Sequence, residues 1–287
     1  MQYYQIPGTN VHLLDTPGFD DPNLSDTDIL TMISTCLEDY FNEKAEIRGA
    51  LYIHPITEAR MKRSGMTNLR MFKDIIGMDK MANVRLVTTK WSLQPRDKLE
   101  AHEKDLATEQ KFWKPLLTHG ASIVRFADSW ESAMEILRPL VRGQPFIPLL
   151  LKERVFDELS IPQTQAGQVV NDNIAEAIKA GEKQVKELDD EWRQAMLDKQ
   201  DDWAAELLKE KQEHQAELEK AMDERRRLQE LNSQRSRGRF GRWAARVGAV
   251  VVGGIATIAT FGAAAPAAAA LYGVVETGAQ IHKATSN

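Results

Sequence analysis

One apolar stretch that stops at a carboxylate constrains this chain more than anything else in it. Val11-His12-Leu13-Leu14-Asp15 runs directly into Thr16-Pro17-Gly18-Phe19-Asp20-Asp21. Val11, Leu13 and Leu14 predict a buried strand, and Pro17-Gly18 end it. An aspartate at the carboxyl end of such a strand sits where open α/β sheets bind their ligands. In phosphate-transferring proteins an aspartate so placed helps hold Mg2+, and a nearby glycine lets backbone N–H groups approach a terminal phosphate. A strand followed by an ordinary Pro-Gly turn accounts for the same residues, because motifs this short recur by chance.

Downstream, strand-like and helix-like segments alternate. Gln2 to Ile6, followed by Pro7-Gly8, predicts an edge strand turning into the Val11–Leu14 strand. Ser25-Asp26-Thr27-Asp28 predicts a helix cap, after which Ile29, Ile33, Leu37 and Tyr40–Phe41 recur at helical spacing. Gly49 to Ile53 is the continuous apolar run of a parallel strand. Leu69, Phe72, Ile75 and Ile76 predict a helix over 64–76 that ends at Gly77. Val84 to Val87 predicts another strand, 96–118 a charged helix, Ser122 to Phe126 the last strand, and Ser132 to Val141 the last helix. Such alternation predicts a mostly parallel sheet with helices on both faces.

Four blocks, taken in order, resemble the GTPase domains of the septin-like and immunity-associated (avirulence-induced) group, and most closely the fungal G domain-containing proteins. The blocks are Leu14-Asp15-Thr16-Pro17-Gly18-Phe19-Asp20-Asp21, Gly49-Ala50-Leu51-Tyr52-Ile53-His54, Leu86-Val87-Thr88-Thr89-Lys90-Trp91 and Phe112-Trp113-Lys114-Pro115-Leu116. The resemblance covers residues 1–170. It implies that Asp15, Thr16, Pro17 and Gly18 form the third GTPase motif, with Asp15 as the metal ligand, and that Thr89 and Lys90 belong to the guanine-recognition motif. GTP and Mg2+ are the cofactors it implies.

The same comparison marks two departures. No Gly-x-x-x-x-Gly-Lys-Ser/Thr occurs in the chain, and too few residues precede Asp15 to hold that loop, the helix it opens and the first switch. In such domains the strand before the loop lies centrally, between the strand ending at Asp15 and the one ending at Ile53. Without it, each buried unpaired backbone group on the two neighbours costs about 1–3 kcal/mol. Either the neighbours close up, another segment fills the gap, or the natural product is longer. An N-terminally truncated product is expected here in preference to a true pseudo-GTPase. The second departure is Ser92, which stands where the family has an aspartate that accepts two guanine hydrogens. A hydroxyl cannot accept both with comparable strength. Ala127-Asp128-Ser129 falls where a base-backing loop would lie. The expected fold class is therefore α/β, a mostly parallel sheet of P-loop GTPase type lacking its first strand and P-loop, followed by a long helix and a C-terminal hydrophobic segment. Nucleotide binding is expected to be impaired or lost. No catalytic residue is assigned, and hydrolysis is not expected of this chain alone.

Composition divides the rest. Residues 1–150 hold the incomplete α/β domain and 151–167 a linker. Residues 168–234 are rich in Glu, Lys, Gln, Asp and Ala without proline, which predicts a long charged helix or weak coiled coil of about 100 Å at 1.5 Å per residue. Val185, Leu188, Trp192 and Ala195 fit one heptad seam, and Leu207, His214, Ala221 and Leu228 fit a shifted one, interrupted by Lys199, Lys211 and Arg225. Weak self-association through 168–231 is expected. A basic segment, 235–246, carries five arginines around Phe240 and Trp243. Behind it, 247–275 contains no charge and exceeds the roughly 20 apolar residues of a membrane span. Ala249, Gly253 and Thr257 have the four-residue spacing of closely packed membrane helices, and the arginines would lie on the cytoplasmic side. A membrane-associating segment, as a transmembrane helix, is expected there, with the tail 276–287 beyond it. The protein is expected at the cytoplasmic face of a membrane, otherwise in the cytoplasm. A small-residue helical hairpin packed on protein, or a disordered Ala/Gly segment, is the competing reading.

A net charge of −5 and a pI near 5.8 leave no surplus of cations to replace counterions, so nucleic acid is not expected as a partner. Hydrophobic content of 43% suffices for a real core. The single cysteine, Cys36, excludes an intrachain disulfide, fits a reducing compartment, and lies on the apolar side of a predicted helix. The six histidines lack metal-ligand spacing, and His54 at a strand end reads as structural. The leading functional expectation is a guanine-nucleotide-dependent switch or assembly factor at a membrane. The runner-up is a membrane-tethered scaffold acting through its helical stalk, and the third a soluble helical assembly protein.

Overall fold

A computed structural model describes residues 2–19, 21, 23–58, 63–233 and 255–259. The chain divides into two compact units, one running to Glu158 and taking in residues 255–259, the other beginning at Leu159.

In the first unit, β1 (Gln2–Gln5) and β2 (Val11–Asp15) pair antiparallel across the Pro7-Gly8 turn, with Gln2 opposite Asp15. Helix α1 (Asp26–Asn42) starts where the sequence predicts: the Ser25 side chain accepts from Asp28 N–H at 3.1 Å. Then come β3 (Glu46–Pro55), α2 (Arg63–Ile76), a short 3-10 turn over 78–83, β4 (Val84–Thr89), α3 (Arg96–Thr108), α4 (Lys114–Thr118), β5 (Ser122–Arg125), α5 (Trp130–Arg142) and α6 (Leu149–Val155). The charged helix expected over 96–118 is thus two helices. Pro115 has no N–H to bond back into a preceding turn and stands in the first turn of α4, while Trp113 N–H bonds back to the Leu106 carbonyl at 2.9 Å and Trp113 is completely buried.

The sheet order is β1-β2-β6-β3-β4-β5, where β6 is Ile255–Ala259. Every pair except β1–β2 is parallel. A segment from more than 190 residues downstream, β6, lies between β2 and β3 and pairs with both. Val11 to Asp15 match Ile255 to Ala259 one for one. On the β3 side the register slips between Ile47 and Ala50. That bulge contains Gly49, where a Cβ would lie 2.7 Å from the Leu140 side chain of α5. Asn83 Nδ2 satisfies the Arg48 carbonyl at 3.2 Å, and Arg48 donates to the Gly143 carbonyl at 2.7 Å.

The transmembrane helix expected within 247–275 is corrected by this strand. Ile-Ala-Thr-Ile-Ala is apolar and β-branched at three of its five positions, which suits a central strand as well as an apolar environment of lipid. Among the described residues no helix is long and apolar enough to cross a membrane. The remainder of 247–275, the basic segment 235–246 and the tail 276–287 lie outside the described residues.

Side chains alternate in direction along each strand, and in β3 and β4 both faces are buried. Val11, Leu13, Leu51, Ile53 and Val87 pack against Phe126 and the α5 residues Ala133, Ile136, Leu137 and Leu140. Tyr52 points the other way, meeting Phe72 of α2 at 5.2 Å and Trp113 at 6.3 Å between ring centroids. Helix α6 is fastened to α1 by Arg154, which donates to Glu38 at 2.8 Å and to Ser34 at 3.2 Å. It lies in part of the stretch expected to be a linker.

In the second unit the single long helix expected over 168–234 is instead a helical hairpin. The Thr164 hydroxyl caps α7 (Gln165–Leu197) by accepting from Gly167 N–H at 3.0 Å. A Cβ at Gly167 would fall 1.8 Å from the Ile161 carbonyl oxygen, so only glycine fits. At Asp198–Gln200 the chain reverses: Lys199 adopts φ 53°, and Gln200 N–H returns to the Ala195 carbonyl at 3.0 Å. Helix α8 (Asp201–Glu230) runs back along α7. The two heptad seams face each other, with Leu188, Ala195, Ala204 and Leu207 buried beside Trp192. An ion pair between Asp189 and Lys211 crosses the seam, so Lys211 is accommodated where the heptad pattern is broken. The offset between the seams marks the turn.

Candidate functional site

Asp15 is the last residue of β2, half-buried, and Thr16 behind it is buried. Pro17 and Gly18 are half-exposed and lead to the buried Phe19. Thr89 is the last residue of β4, and Lys90 follows it at φ 63°, a left-handed conformation that ends the strand abruptly. Since β2, β6, β3 and β4 are parallel, Asp15 and Thr89-Lys90 both lie at carboxyl ends of strands, but the register sets Asp15 level with Leu51 and Arg85, four residues short of Thr89. Three inter-strand spacings separate their strands, about 14 Å at 4.8 Å each. The structure therefore places all six of the residues singled out from the sequence, Asp15, Thr16, Pro17, Gly18, Thr89 and Lys90, at carboxyl ends of strands in one sheet.

What surrounds the second group is less open. Thr89 Oγ1 is buried and has no hydrogen-bond partner among the described residues, while its carbonyl accepts from Ile56 N–H at 3.0 Å. Trp91 donates its indole N–H to Thr88 Oγ1 at 3.0 Å, and the Arg125 guanidinium lies 4.1 Å from the centre of its ring. Arg125 Nε in turn donates to both carboxylate oxygens of Glu103 at 3.1 Å, and its Nη1 to Glu100 at 3.3 Å. Arg96 and Arg125 hold the Glu100 carboxyl below the ordinary carboxylate range by hydrogen bonding. Ser92 is exposed. A ring already covered by a guanidinium and pinned at its nitrogen is committed to the fold. The loop Ala127-Asp128-Ser129 is likewise occupied, because Ser129 caps α5 and Ser132 Oγ accepts from Ala127 N–H at 3.2 Å.

Arg125, Glu100 and Glu103 escaped the sequence reading. The one available signal was the spacing of Glu100 and Glu103, a single helical turn apart on α3. A cleft of about 470 Å³ beside them is lined by Glu100, Glu103, Lys104, Ala107, Ile123 and Arg125, and by none of the residues from the two motifs.

The residues present do not fit a tight site for Mg2+ and GTP. Asp15 is one carboxylate, and among the described residues no group of three or more His, Cys, Asp or Glu side chains is placed to hold a metal. The guanine side offers a serine for a carboxylate. His54 offers no chemistry: it is buried against Trp113 at 5.8 Å, its Nε2 lacks a partner among the described residues, and desolvation lowers its pKa to about 4. Cys36 is buried as expected, and burial pushes its thiol up to about 12, far from a reactive thiolate. No family model, no curated protein and no solved structure matches the chain.

Proposed function

We propose that the first unit is a guanine-nucleotide-binding domain by descent, of the P-loop GTPase type found in G domain-containing proteins. In this chain nucleotide binding is impaired or lost, so that it serves as a switch or assembly factor without useful turnover. One observation carries the reading: Asp15 and Lys90 end two parallel strands on either side of a central position, and that position is taken by β6. A sheet in this order, with its one antiparallel strand at the edge next to the Asp15 strand, is what a GTPase sheet gives when its first strand is replaced. That no Gly-x-x-x-x-Gly-Lys-Ser/Thr occurs in these 287 residues and that serine stands at position 92 support the impairment.

Titration of the full chain with GTP and Mg2+ by calorimetry tests the proposal, together with amide shift mapping at millimolar nucleotide. The expected result is a Kd weaker than about 1 mM, with the small shifts confined to Gly18 and Lys90 and larger for GTP than for CTP. Micromolar, Mg2+-dependent binding overturns the impairment. Absence of any nucleotide-specific shift favours the second reading, a non-nucleotide scaffold acting through the α7–α8 hairpin. The internal engagement of Thr88, Trp91 and Arg125 is the observation on its side.

A further inference from the structure

A strand at the edge of a sheet turns half of its backbone hydrogen-bonding groups outward, a ready template for another extended chain. β5 is the last strand in the sheet order and pairs with β4 alone. Phe126 N–H donates to the Thr88 carbonyl at 2.9 Å, so Phe126, and Val124 two residues before it, turn their peptide groups toward β4. The residues between them face the other way. The N–H and C=O groups of Ile123 and Arg125 therefore point out from the sheet, and among the described residues nothing pairs with them. The cleft of about 470 Å³ lies at this edge, with Ile123 and Arg125 as one wall and the α3 stripe Glu100, Glu103, Lys104 and Ala107 as the other. Arg125 reaches Glu100 and Glu103, so Ile123, two residues earlier in the strand, lies toward Lys104 and Ala107. Both carboxylates are taken, Glu103 by Arg125 and Glu100 by Arg96 and Arg125. The Lys104 ammonium is exposed and has no ion-pair partner among the described residues. With Arg96 counted beside the lining residues, three cations (Arg96, Lys104, Arg125) stand against two carboxylates (Glu100, Glu103).

From the open edge and the groove beside it we infer that β5 takes an additional strand from a partner protein. That strand is an extended segment bearing a carboxylate for Lys104 and, two residues away, a small apolar side chain for Ala107 and Ile123. An edge strand facing a helix across an open groove can hold such a segment between the two. Main-chain bonds to Ile123 and Arg125 supply affinity, and the two side chains supply selectivity, because residues two apart in a strand share a face. The contact runs about 13 Å along the four residues of β5, at 3.3 Å each. No nucleotide enters it, so it stands or falls apart from the function proposed above.

Peptide selection on the full chain tests the inference. A phage library of random octapeptides is panned against the immobilised protein, and the binders are remade as acetylated, amidated peptides. Enriched sequences are expected to carry Asp or Glu two positions from Ala or Val. Their binding is expected to slow hydrogen exchange at the Ile123 and Arg125 amides and to leave α7 and α8 unchanged. Ile123→Pro deletes an outward N–H without touching the bonds to β4, so binding is expected to weaken about fivefold with the circular dichroism spectrum unchanged. Lys104→Glu is expected to weaken it as well, and to bind instead the peptides whose acid is replaced by Lys. Lys98→Glu, exposed on α3 outside the cleft, is expected to change nothing. Enrichment of no sequence, binders that leave the two amides exchanging as in the free chain, or binding indifferent to both Ile123→Pro and Lys104→Glu overturns the inference. So does slow exchange of these amides in a dimer formed without peptide, which assigns the edge to a second copy.

Discussion

His54 shows how a single side chain can carry the acid sensitivity of a domain. Buried without a partner for Nε2 among the described residues, its ring stays neutral in the fold, with a pKa lowered to about 4 from 6.5 by desolvation. The unfolded chain therefore binds the extra proton first, between those two values. Stability is complete above pH 6.5 and is lost as the pH falls from 6.5 through 4, by about 2 kcal/mol between pH 7 and pH 5. Urea denaturation at the two pH values measures it, and His54→Leu is expected to flatten that limb. Gly49 is the steric counterpart. An added Cβ meets three atoms of Leu140 within 2.9 Å, so Gly49→Ala is expected to cost about 1–3 kcal/mol, with part recovered when Leu140→Val makes room. Neither effect was legible in the sequence. His54 read correctly as structural, but its burial depends on Trp113, and Gly49 read only as the start of a strand.

At the scale of elements, local signals located most of what forms. The Ser25 cap, the 64–76 helix ending at Gly77 and the Val84 strand all appear within a residue or two of where periodicity puts them. The failures have a common cause, which is that periodicity continues through a turn when both sides are amphipathic. Phe112 and Trp113 kept helical spacing across the break after Thr108, and the α7–α8 hairpin kept a charged, proline-free composition straight through Asp198–Gln200. The heptad offset was the legible clue. Lys199 at φ 53° occupies the left-handed position that usually falls to glycine after a helix. Lys199→Gly is accordingly expected to stabilise the hairpin by up to about 1 kcal/mol, read as a higher Tm by circular dichroism.

On the scale of the whole molecule, the sheet depends on a strand that arrives last in the sequence. β6 supplies hydrogen-bond partners to both β2 and β3, so its loss leaves two rows of buried backbone groups unpaired. Thr257→Pro removes a central N–H and is expected to destabilise the α/β unit by about 3 kcal/mol or more. Hydrogen exchange checks this: protection at β2 and β3 amides should fall, while α7 and α8 amides keep theirs.

The strand-and-helix alternation, the caps, the apolar faces and the abrupt stop at Asp15 were fixed by residues within a few positions of one another, and for that reason could be read directly. Which segment lies between β2 and β3 depends on pairing across more than 190 residues, and Ile255–Ala259 carries no mark of its partner beyond an apolar, β-branched composition that suits lipid equally well. Backbone hydrogen bonds are indifferent to side-chain identity, so only the tertiary structure could turn an expected membrane helix into the centre of a sheet.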